Sequence, residues 1–166
     1  MNNLAFSEKL CKMSQIKMVE YFLCGYGGTR KTFMWNTLSA ALRCKGDIVL
    51  NMASSGIAIL LLPGGRTAHS KFKISIPCLE SSICNIEKKS DLSNLLKVTK
   101  LIIWDEASIE NKFYFEALYK SLKDIMIDGS GECNQIFGGK VVIFGGDFRQ
   151  ILPVVPRGTR SDCACY

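Results

Sequence analysis

The chain has 166 residues, of which 48% are hydrophobic and 22% are charged. This length suffices for one domain with a sizeable core, and the composition is that of a globular protein rather than a disordered one. The apolar runs are all much shorter than the roughly 20 residues of a membrane-spanning helix. We therefore expect no membrane span, and we expect the longest apolar run, residues 57–62, to lie in the core.

Eight cysteines are scattered along the sequence without a C-x-x-C pair. Their density is about half that of a disulfide-based scaffold, and the close pairs typical of zinc sites are missing. The N-terminus does not read as a signal peptide. We therefore expect reduced thiols in an intracellular protein, with neither a disulfide framework nor a zinc site.

The formal net charge is +6, and it is unevenly placed. Residues 1–83 contain ten lysines and arginines against four acids, whereas residues 84–166 contain eleven of each. From Ile48 to Leu79 there is no acid, while Arg66, Lys71 and Lys73 fall in this stretch. Such a one-sided basic segment favours a polyanionic partner, the alternative being an ordinary solvated loop.

Apolar runs that predict β-strands alternate with longer runs that predict α-helices. Strands are predicted at residues 19–24, 47–52, 100–104 and 140–144, and helices at 31–44, 55–62, 91–98 and 110–127. The last helix has four apolar residues at helical spacing and an i,i+4 pair of Glu116 with Lys120; the apolar residues are Phe115, Leu118, Leu122 and Ile125. The alternation predicts an α/β fold, with a parallel sheet covered by helices on both faces and ligands beyond the carboxyl ends of the strands.

A glycine-rich segment joins the first predicted strand to the first predicted helix. It reads G-Y-G-G-T-R-K-T over residues 25–32, where a phosphate-binding loop has the pattern G-x-x-x-x-G-K-[ST]. Glycines let backbone N–H groups close around phosphates, and the helix N-terminus adds partial positive charge. We predict Lys31 on the terminal phosphates, Thr32 on magnesium, and nucleotide contacts from Gly25, Gly27, Gly28, Thr29, Arg30, Lys31 and Thr32. The alternative is a glycine-rich turn without a ligand.

Two adjacent acids, Asp105 and Glu106, follow the third predicted strand about 75 residues after the glycine-rich segment. Nucleotide hydrolysis uses one carboxylate in the magnesium shell and another to orient water. We therefore predict Asp105 as a metal ligand and Glu106 as a catalytic residue. Exposed acids also end many ordinary strands, but the preceding phosphate loop favours the functional interpretation.

The last predicted strand runs into G-G-D-F-R-Q-I-L-P at residues 145–153. Further segments read A-S-S-G-I-A at 53–58, G-R-T-A-H-S at 65–70 and W-D-E-A-S at 104–108. In this order they resemble the RecD-like helicases of superfamily one, and most closely the Pif-type enzymes, including the helicase parts of plant Helitron transposons. The resemblance extends over residues 19–160, leaving a poorly matching segment 1–18 and a tail 161–166.

This resemblance implies a RecA-like P-loop domain, the first half of a 5′-to-3′ ATP-dependent DNA helicase that acts in DNA repair, recombination and telomere maintenance. It implies ATP and Mg²⁺ as cofactors, with Lys31, Glu106 and Gln150 as catalytic residues and Gln150 near the terminal phosphate. It also places the strand before Gly145 beside the phosphate-loop strand.

The implied partner is single-stranded DNA, bound by a monomer in the nucleus or the mitochondrion. The contact region consists of hydroxyls, backbone N–H groups and basic side chains, with His69 or Phe72 against a base; its residues are Ser55, Gly56, Arg66, His69, Lys71, Phe72 and Lys73. An ordinary core or surface histidine is the alternative for His69.

Three features depart from the family pattern. Arg30 replaces a glycine, and Gln15 lies only ten residues before Gly25, so that the adenine-contacting glutamine is not in place. The chain also ends soon after the third cluster, so we expect a second RecA-like domain and its transition-state arginine to be missing, and no DNA unwinding by this chain alone. Two alternatives remain: a non-catalytic remnant that binds nucleic acid weakly, and a small phosphoryl-transfer kinase, against which the G-G-D-F-R-Q segment and the lack of an acceptor-binding lid argue.

Overall fold

The structure, a computed structural model, describes residues 20–127 and 135–149. This part of the chain contains five strands: β1 (Glu20–Cys24), β2 (Ile48–Ala53), β3 (Arg66–Thr67), β4 (Thr99–Asp105) and β5 (Val141–Gly146). Five α-helices accompany them: α1 (Lys31–Arg43), α2 (Gly56–Ile59), α3 (Ala68–Phe72), α4 (Asp91–Val98) and α5 (Lys112–Ile125). Short 3₁₀ turns cover Ala107–Ile109 and Ile136–Gly139. The predicted segment 1–18, Gln150 and the tail 161–166 lie outside the described residues.

The five strands form one sheet in the order β1-β5-β4-β2-β3, and all neighbouring strands are parallel. This confirms the predicted parallel α/β fold. The strand before Gly145 is β5, and it pairs with β1, as the resemblance implied. Since parallel strands end on the same edge, the segments that follow β1, β5, β4 and β2 meet there.

Helices pack on both faces of the sheet and create two separate cores. One core contains Trp104 of β4 with Leu118 and Leu122 of α5, all fully buried. The other contains Trp35 and Leu42 of α1. Burying each large apolar side chain contributes about 1.5–3 kcal/mol, so these two layers are the main source of stability. In the described ranges every helix is too short or too polar to span a bilayer.

The helical face predicted for α5 is confirmed. Leu118, Leu122 and Ile125 are buried, and Phe115 packs against the same core. On the opposite face Glu116 and Lys120 form the expected i,i+4 ion pair at 3.9 Å. The helix begins after Asn111, whose side chain accepts a hydrogen bond from the N–H of Phe113.

Side-chain capping sets where three of the other helices begin. Ser55, Thr67 and Ser90 each accept a hydrogen bond from a backbone N–H in the first turn of α2, α3 and α4. Such a cap contributes about 1 kcal/mol. Helix α1 differs, because its N-cap residue Arg30 makes no side-chain capping bond within the described part of the chain.

The prediction that residues 57–62 form a core segment is wrong for half of that run, because three of its six residues are exposed. Ile57, Leu60 and Leu61 are 80%, 84% and 58% exposed, and only Ala58 and Leu62 among the strictly buried residues come from it. The reason is that α2 has only four residues. A single helical turn directs one side toward the sheet, so the remaining apolar side chains face outward.

Four cysteines fall within the described residues, and all are free thiols: Cys24, Cys44, Cys78 and Cys84. Cys78 and Cys84 are buried in the core with Trp104. Burial raises the pKa of the Cys84 thiol to about 11, against a smaller opposing effect of a hydrogen bond with Ser121. These buried cysteines therefore act as small apolar core residues.

Candidate functional site

An open pocket of about 460 Å³ lies at the edge of the sheet where β1, β4 and β5 end. It is lined by the loop of residues 26–32 and by the acids that follow the other two strands. Lys31, Thr32, Asp105 and Glu106, predicted from separate motifs, all line this pocket. Gln150, the remaining predicted catalytic residue, lies outside the described residues.

The loop between β1 and α1 is a compact turn that starts at Gly25. The N–H of Gly25 donates to the carbonyl of Gly146 at 3.0 Å, and both the N–H and the hydroxyl of Thr29 donate to the carbonyl of Tyr26. A Cβ at position 25 would lie 2.6 Å from the Thr29 hydroxyl oxygen. Position 25 must therefore be glycine for the loop to close in this way.

Lys31 is the first residue of α1, and its side chain turns back toward the loop. Its ammonium donates hydrogen bonds to the carbonyl oxygens of Gly25 and, at 3.4 Å, of Tyr26. The side chain is half-buried and lines the pocket. A positive charge is thus held inside the loop, next to backbone N–H groups at the start of a helix, where a phosphate would bind.

Arg30 has a left-handed backbone conformation, with φ 60° and ψ 28°. This conformation costs a residue with a Cβ about 1–2 kcal/mol and costs glycine almost nothing. The phosphate-loop pattern has glycine at this position, and the geometry gives a physical reason. Position 30 thus has a backbone conformation that suits glycine, although the residue there is an arginine. Arg30 is exposed and lines the pocket.

Asp105 is the last residue of β4 and is only 6% exposed. Its Oδ1 accepts a hydrogen bond from the N–H of Glu106 at 3.0 Å. The neighbouring strand leaves little room, because a Cβ on Gly145 would lie 2.8 Å from this oxygen and 2.6 Å from the ring of Trp35. The glycine of β5 therefore lets the buried carboxylate remain in place beside the pocket.

Glu106 is half-buried and has a left-handed backbone with φ 54°. Its Oε2 accepts a hydrogen bond from the hydroxyl of Ser55, which precedes α2. The contact follows from the register of the sheet, since Ala53 at the end of β2 lies opposite Asp105 at the end of β4. The residues that follow the two strands are consequently neighbours.

Two further polar residues of the pocket, Ser108 and Asp147, were not predicted as site residues. Asp147 is 6% exposed, and its N–H donates to the Ser108 hydroxyl oxygen at 3.2 Å. Its Oδ1 accepts from the N–H of Arg149, whose guanidinium lies 5.8 Å from the ring centre of Tyr26. Ser108 lies in the segment W-D-E-A-S and Asp147 in the segment G-G-D-F-R-Q. Their position after a predicted strand is the sequence signal that could have identified them as site residues.

The predicted nucleic-acid segment follows β2 and continues through β3 and α3. Most of its residues are exposed or half-buried: Ser55, Gly56, Arg66, His69, Lys71 and Lys73. Burial, and to a lesser extent the charge of Arg66, lower the pKa of Lys71. The charge of Arg66 therefore acts on Lys71, so these two predicted DNA-contacting side chains lie near each other.

Phe72 is an exception, and its predicted contact with a base is not compatible with its position. Its side chain is fully buried, with its ring centre 6.4 Å from that of Trp104. Ala68, four residues earlier on α3, is also fully buried. The two residues form the inward face of this short helix, so Phe72 presents no ring face for stacking.

His69 is half-buried at the start of α3 and faces α5. Its Nδ1 lies 3.9 Å from Oε1 of Glu110, and its ring contacts that of Tyr114 edge-on at 4.8 Å between centres. Burial raises the pKa of Glu110, while His69 and a hydrogen bond from Ser54 act in the opposite direction. His69 is therefore neither a core residue nor a freely solvated one.

The oxygen donors of the pocket fit a magnesium nucleotide. The hydroxyl of Thr32 and the carboxylate of Asp105 are hard ligands of the kind that Mg²⁺ prefers. Among the described residues no group of three or more His, Cys, Asp or Glu side chains could hold a metal by itself. Mg²⁺ commonly binds through one or two protein oxygens together with phosphates of the substrate, so the Thr32 hydroxyl and the Asp105 carboxylate are suitable donors for it.

Comparison with known proteins identifies similar sequences. Residues 5–166 match the family model described as PIF1-like helicase. The chain is 31% identical over 141 residues to the ATP-dependent DNA helicase Pif1 of Campylobacter jejuni, covering 81% of this chain and 29% of that protein. It is 32% identical over 139 residues to the Pif1 helicase of a Psychrobacter species, covering 82% and 20%. The chain thus spans less than a third of the length of these relatives.

Solved structures show the same fold. The Pif1 helicase from Bacteroides in complex with ADP-AlF3 and single-stranded DNA superposes with a TM-score of 0.75 at 25% identity, over 99% of this chain and 37% of that one. The Pif1 helicase from Candida albicans gives a TM-score of 0.67 at 25% identity, over 93% and 34%.

Proposed function

Because the chain belongs to the PIF1-like helicase family, we propose that it forms the nucleotide-binding half of an ATP-dependent DNA helicase that acts on single-stranded DNA. One observation carries the proposal. The phosphate loop, the acids of β4 and the end of β5 line a single pocket at the carboxyl edge of a RecA-like sheet. This edge is where parallel α/β sheets bind their ligands.

In this function the glycine-rich loop binds the phosphates of ATP. The backbone N–H groups at the start of α1 and the ammonium of Lys31 neutralise phosphate oxygens. Thr32 and Asp105 would hold Mg²⁺, which supplies charge stabilisation for the transferred phosphoryl group. Glu106 orients the attacking water, as a carboxylate beside the pocket can accept its proton.

Gln150 is proposed to contact the terminal phosphate. It directly follows Arg149, whose backbone N–H is bound by Asp147 in the pocket. This position in the chain supports a contact between Gln150 and the bound nucleotide.

The proposed partner is single-stranded DNA, bound along the segment that contains Arg66, His69, Lys71 and Lys73. The segment is free of acids, and it begins directly beside the nucleotide pocket. The similar Bacteroides helicase was solved with single-stranded DNA. We place the function in DNA repair, recombination and telomere maintenance, in the nucleus or the mitochondrion, as the family implies.

A second candidate function is nucleic-acid binding without catalysis. The observation that favours it is the strained, exposed Arg30 in the phosphate loop, next to Lys31. Its guanidinium can compete with the metal of a nucleotide for the same pocket. The kinase alternative falls with the family membership.

Binding of a fluorescent ATP analogue with Mg²⁺ tests the first function. Lys31→Ala should weaken binding at least about tenfold, because a direct phosphate contact is lost. Lys89→Ala, an exposed lysine far from the pocket in sequence, is the matched control. Equal binding by Lys31→Ala and wild type would exclude this pocket as the nucleotide site.

A further inference from the structure

Two consecutive serines after β2 contact the acids at the end of β4. The N–H of Ser54 donates to the carbonyl of Asp105 at 3.1 Å, and its hydroxyl oxygen accepts from the indole N–H of Trp104 at 2.9 Å. The hydroxyl of Ser55 donates to the Glu106 carboxylate. The nucleic-acid segment therefore begins in direct contact with the proposed water-orienting residue.

A serine hydroxyl has one proton to donate. In Ser55 that proton is used by Glu106, while the hydroxyl oxygen accepts from the N–H of Ala58 at 3.2 Å. A phosphate oxygen of DNA can only accept, so a contact with the Ser55 hydroxyl needs the same proton. The contact with Glu106 and the contact with a phosphate exclude each other.

We propose that Ser55 is a positioning residue that holds the Glu106 carboxylate by a hydrogen bond in the DNA-free protein and releases it when its hydroxyl donates to a DNA phosphate instead. This inference rests on the proposed function, in which Ser55 contacts the strand and Glu106 orients water. It gives the strand a direct means to make the catalytic carboxylate available only while DNA is bound.

The neighbouring serine extends this link toward the rest of the nucleic-acid segment. The side chain of Ser54 also acts on Glu110, whose pKa it lowers, and Glu110 lies 3.9 Å from His69. Residues 54 and 55 thus connect the nucleotide pocket on one side with the histidine of the segment on the other. Displacement of Ser54 and Ser55 by bound DNA therefore changes contacts both at the nucleotide pocket and near His69.

The proposal can be tested through DNA affinity alone, without nucleotide. Fluorescence anisotropy with labelled oligothymidylate at low salt is measured on the full chain, on Ser55→Ala, on Glu106→Ala and on the double variant. Glu106→Ala removes the carboxylate that competes with DNA for the Ser55 hydroxyl. It should therefore strengthen DNA binding when Ser55 is present, and strengthen it less in the Ser55→Ala background. We expect the two effects of Glu106→Ala to differ by at least about fivefold, the lower end of usual coupling between linked sites.

Two variants separate this competition from simpler causes. Asp147→Asn removes another acid of the pocket, and its effect on DNA affinity should be the same with and without the Ser55 hydroxyl. Ser55→Thr retains a hydroxyl and a capping group, so it should preserve the coupling. Ser55→Ala also removes the N-cap of α2. This loss is common to the single Ser55→Ala variant and the double variant, so it cancels when the effect of Glu106→Ala is calculated.

The outcomes are distinguishable. Salt-sensitive binding with less than a twofold difference between the two effects overturns the positioning role and leaves the proposed function in place. A coupling for Asp147→Asn equal to that for Glu106→Ala also overturns it, because charge alone then explains the data. Wild-type protein without salt-sensitive binding overturns the proposed DNA function itself, and the positioning role with it.

Discussion

Gly28 and Arg30 share the left-handed backbone conformation on either side of Thr29, with φ values of 86° and 60°. Glycine adopts this conformation freely, whereas arginine does so at a cost. The loop of residues 25–32 therefore has a backbone shape that suits glycine at both positions 28 and 30, although only position 28 holds one. The substitution affects two properties that can be measured separately, stability and nucleotide affinity.

Arg30→Gly should increase the free energy of unfolding by about 1 kcal/mol, because it relieves the strain of a Cβ in the left-handed region. Urea unfolding monitored by circular dichroism measures the change. Lys73→Gly is a matched control outside the pocket, since Lys73 has φ 51° and should give a similar gain. A destabilised Arg30→Gly protein would show that the arginine side chain makes compensating interactions.

Arg30→Gly should also tighten ATP binding by at least about 1.4 kcal/mol, a tenfold change in affinity. The physical reason is that a Cβ and a guanidinium crowd the concave surface that the phosphates need. Calorimetry with Mg²⁺ and a slowly hydrolysed ATP analogue measures both proteins. Arg30→Ala removes the guanidinium and keeps the Cβ, so it separates the two contributions. Tighter binding by the arginine form would mean that Arg30 contacts phosphate favourably.

DNA binding should weaken steeply as the salt concentration rises, because contacts with phosphates release condensed counterions. Replacing Arg66, Lys71 and Lys73 together with alanine should flatten the log–log salt dependence by about 2, at roughly 0.7 per phosphate on a single strand. Anisotropy titrations at several salt concentrations measure the slope. A triple alanine variant at Lys89, Lys97 and Lys123 loses the same charge and should leave the slope nearly unchanged.

Stability should depend on pH through Glu110, whose pKa burial raises. The folded protein then binds the proton more tightly than the unfolded chain, so stability falls as the pH rises from the ordinary glutamate pKa of about 4.3 through the raised value. Glu110→Gln carries no charge and should escape this loss. Urea unfolding should show the stability of the variant increasing relative to wild type as the pH rises above the ordinary glutamate pKa, and a difference that stays constant with pH would contradict this prediction.

The strands and long helices could be predicted because their sequence signals are long and regular. The helix over Asp91–Val98 has the predicted bounds, and the four main strands differ from prediction by at most two residues at either end of their described ranges. The pocket followed from the same reasoning, since each motif comes after an apolar strand and parallel strands end together.

Short elements and side-chain directions could not be predicted. Strand β3 has two residues and α3 has five, which is too little for a periodic pattern to appear. The inward direction of Phe72 depends on that unrecognised helix. The contact of Ser55 with Glu106 depends on the register of β2 against β4, which no local sequence signal specifies.

The chain has two tryptophans, and each is buried in a different core, Trp35 below one face of the sheet and Trp104 on the other. A variant that keeps only one tryptophan therefore reports by fluorescence on the core of one face of the sheet. Comparing the unfolding curves of the two single-tryptophan variants shows whether the two cores unfold together. The ring of Trp35 also lies against Gly145, on the side where the Asp105 carboxylate approaches the same glycine. Its emission should respond to charge entering the pocket, so the protein carries its own label for ligand titrations.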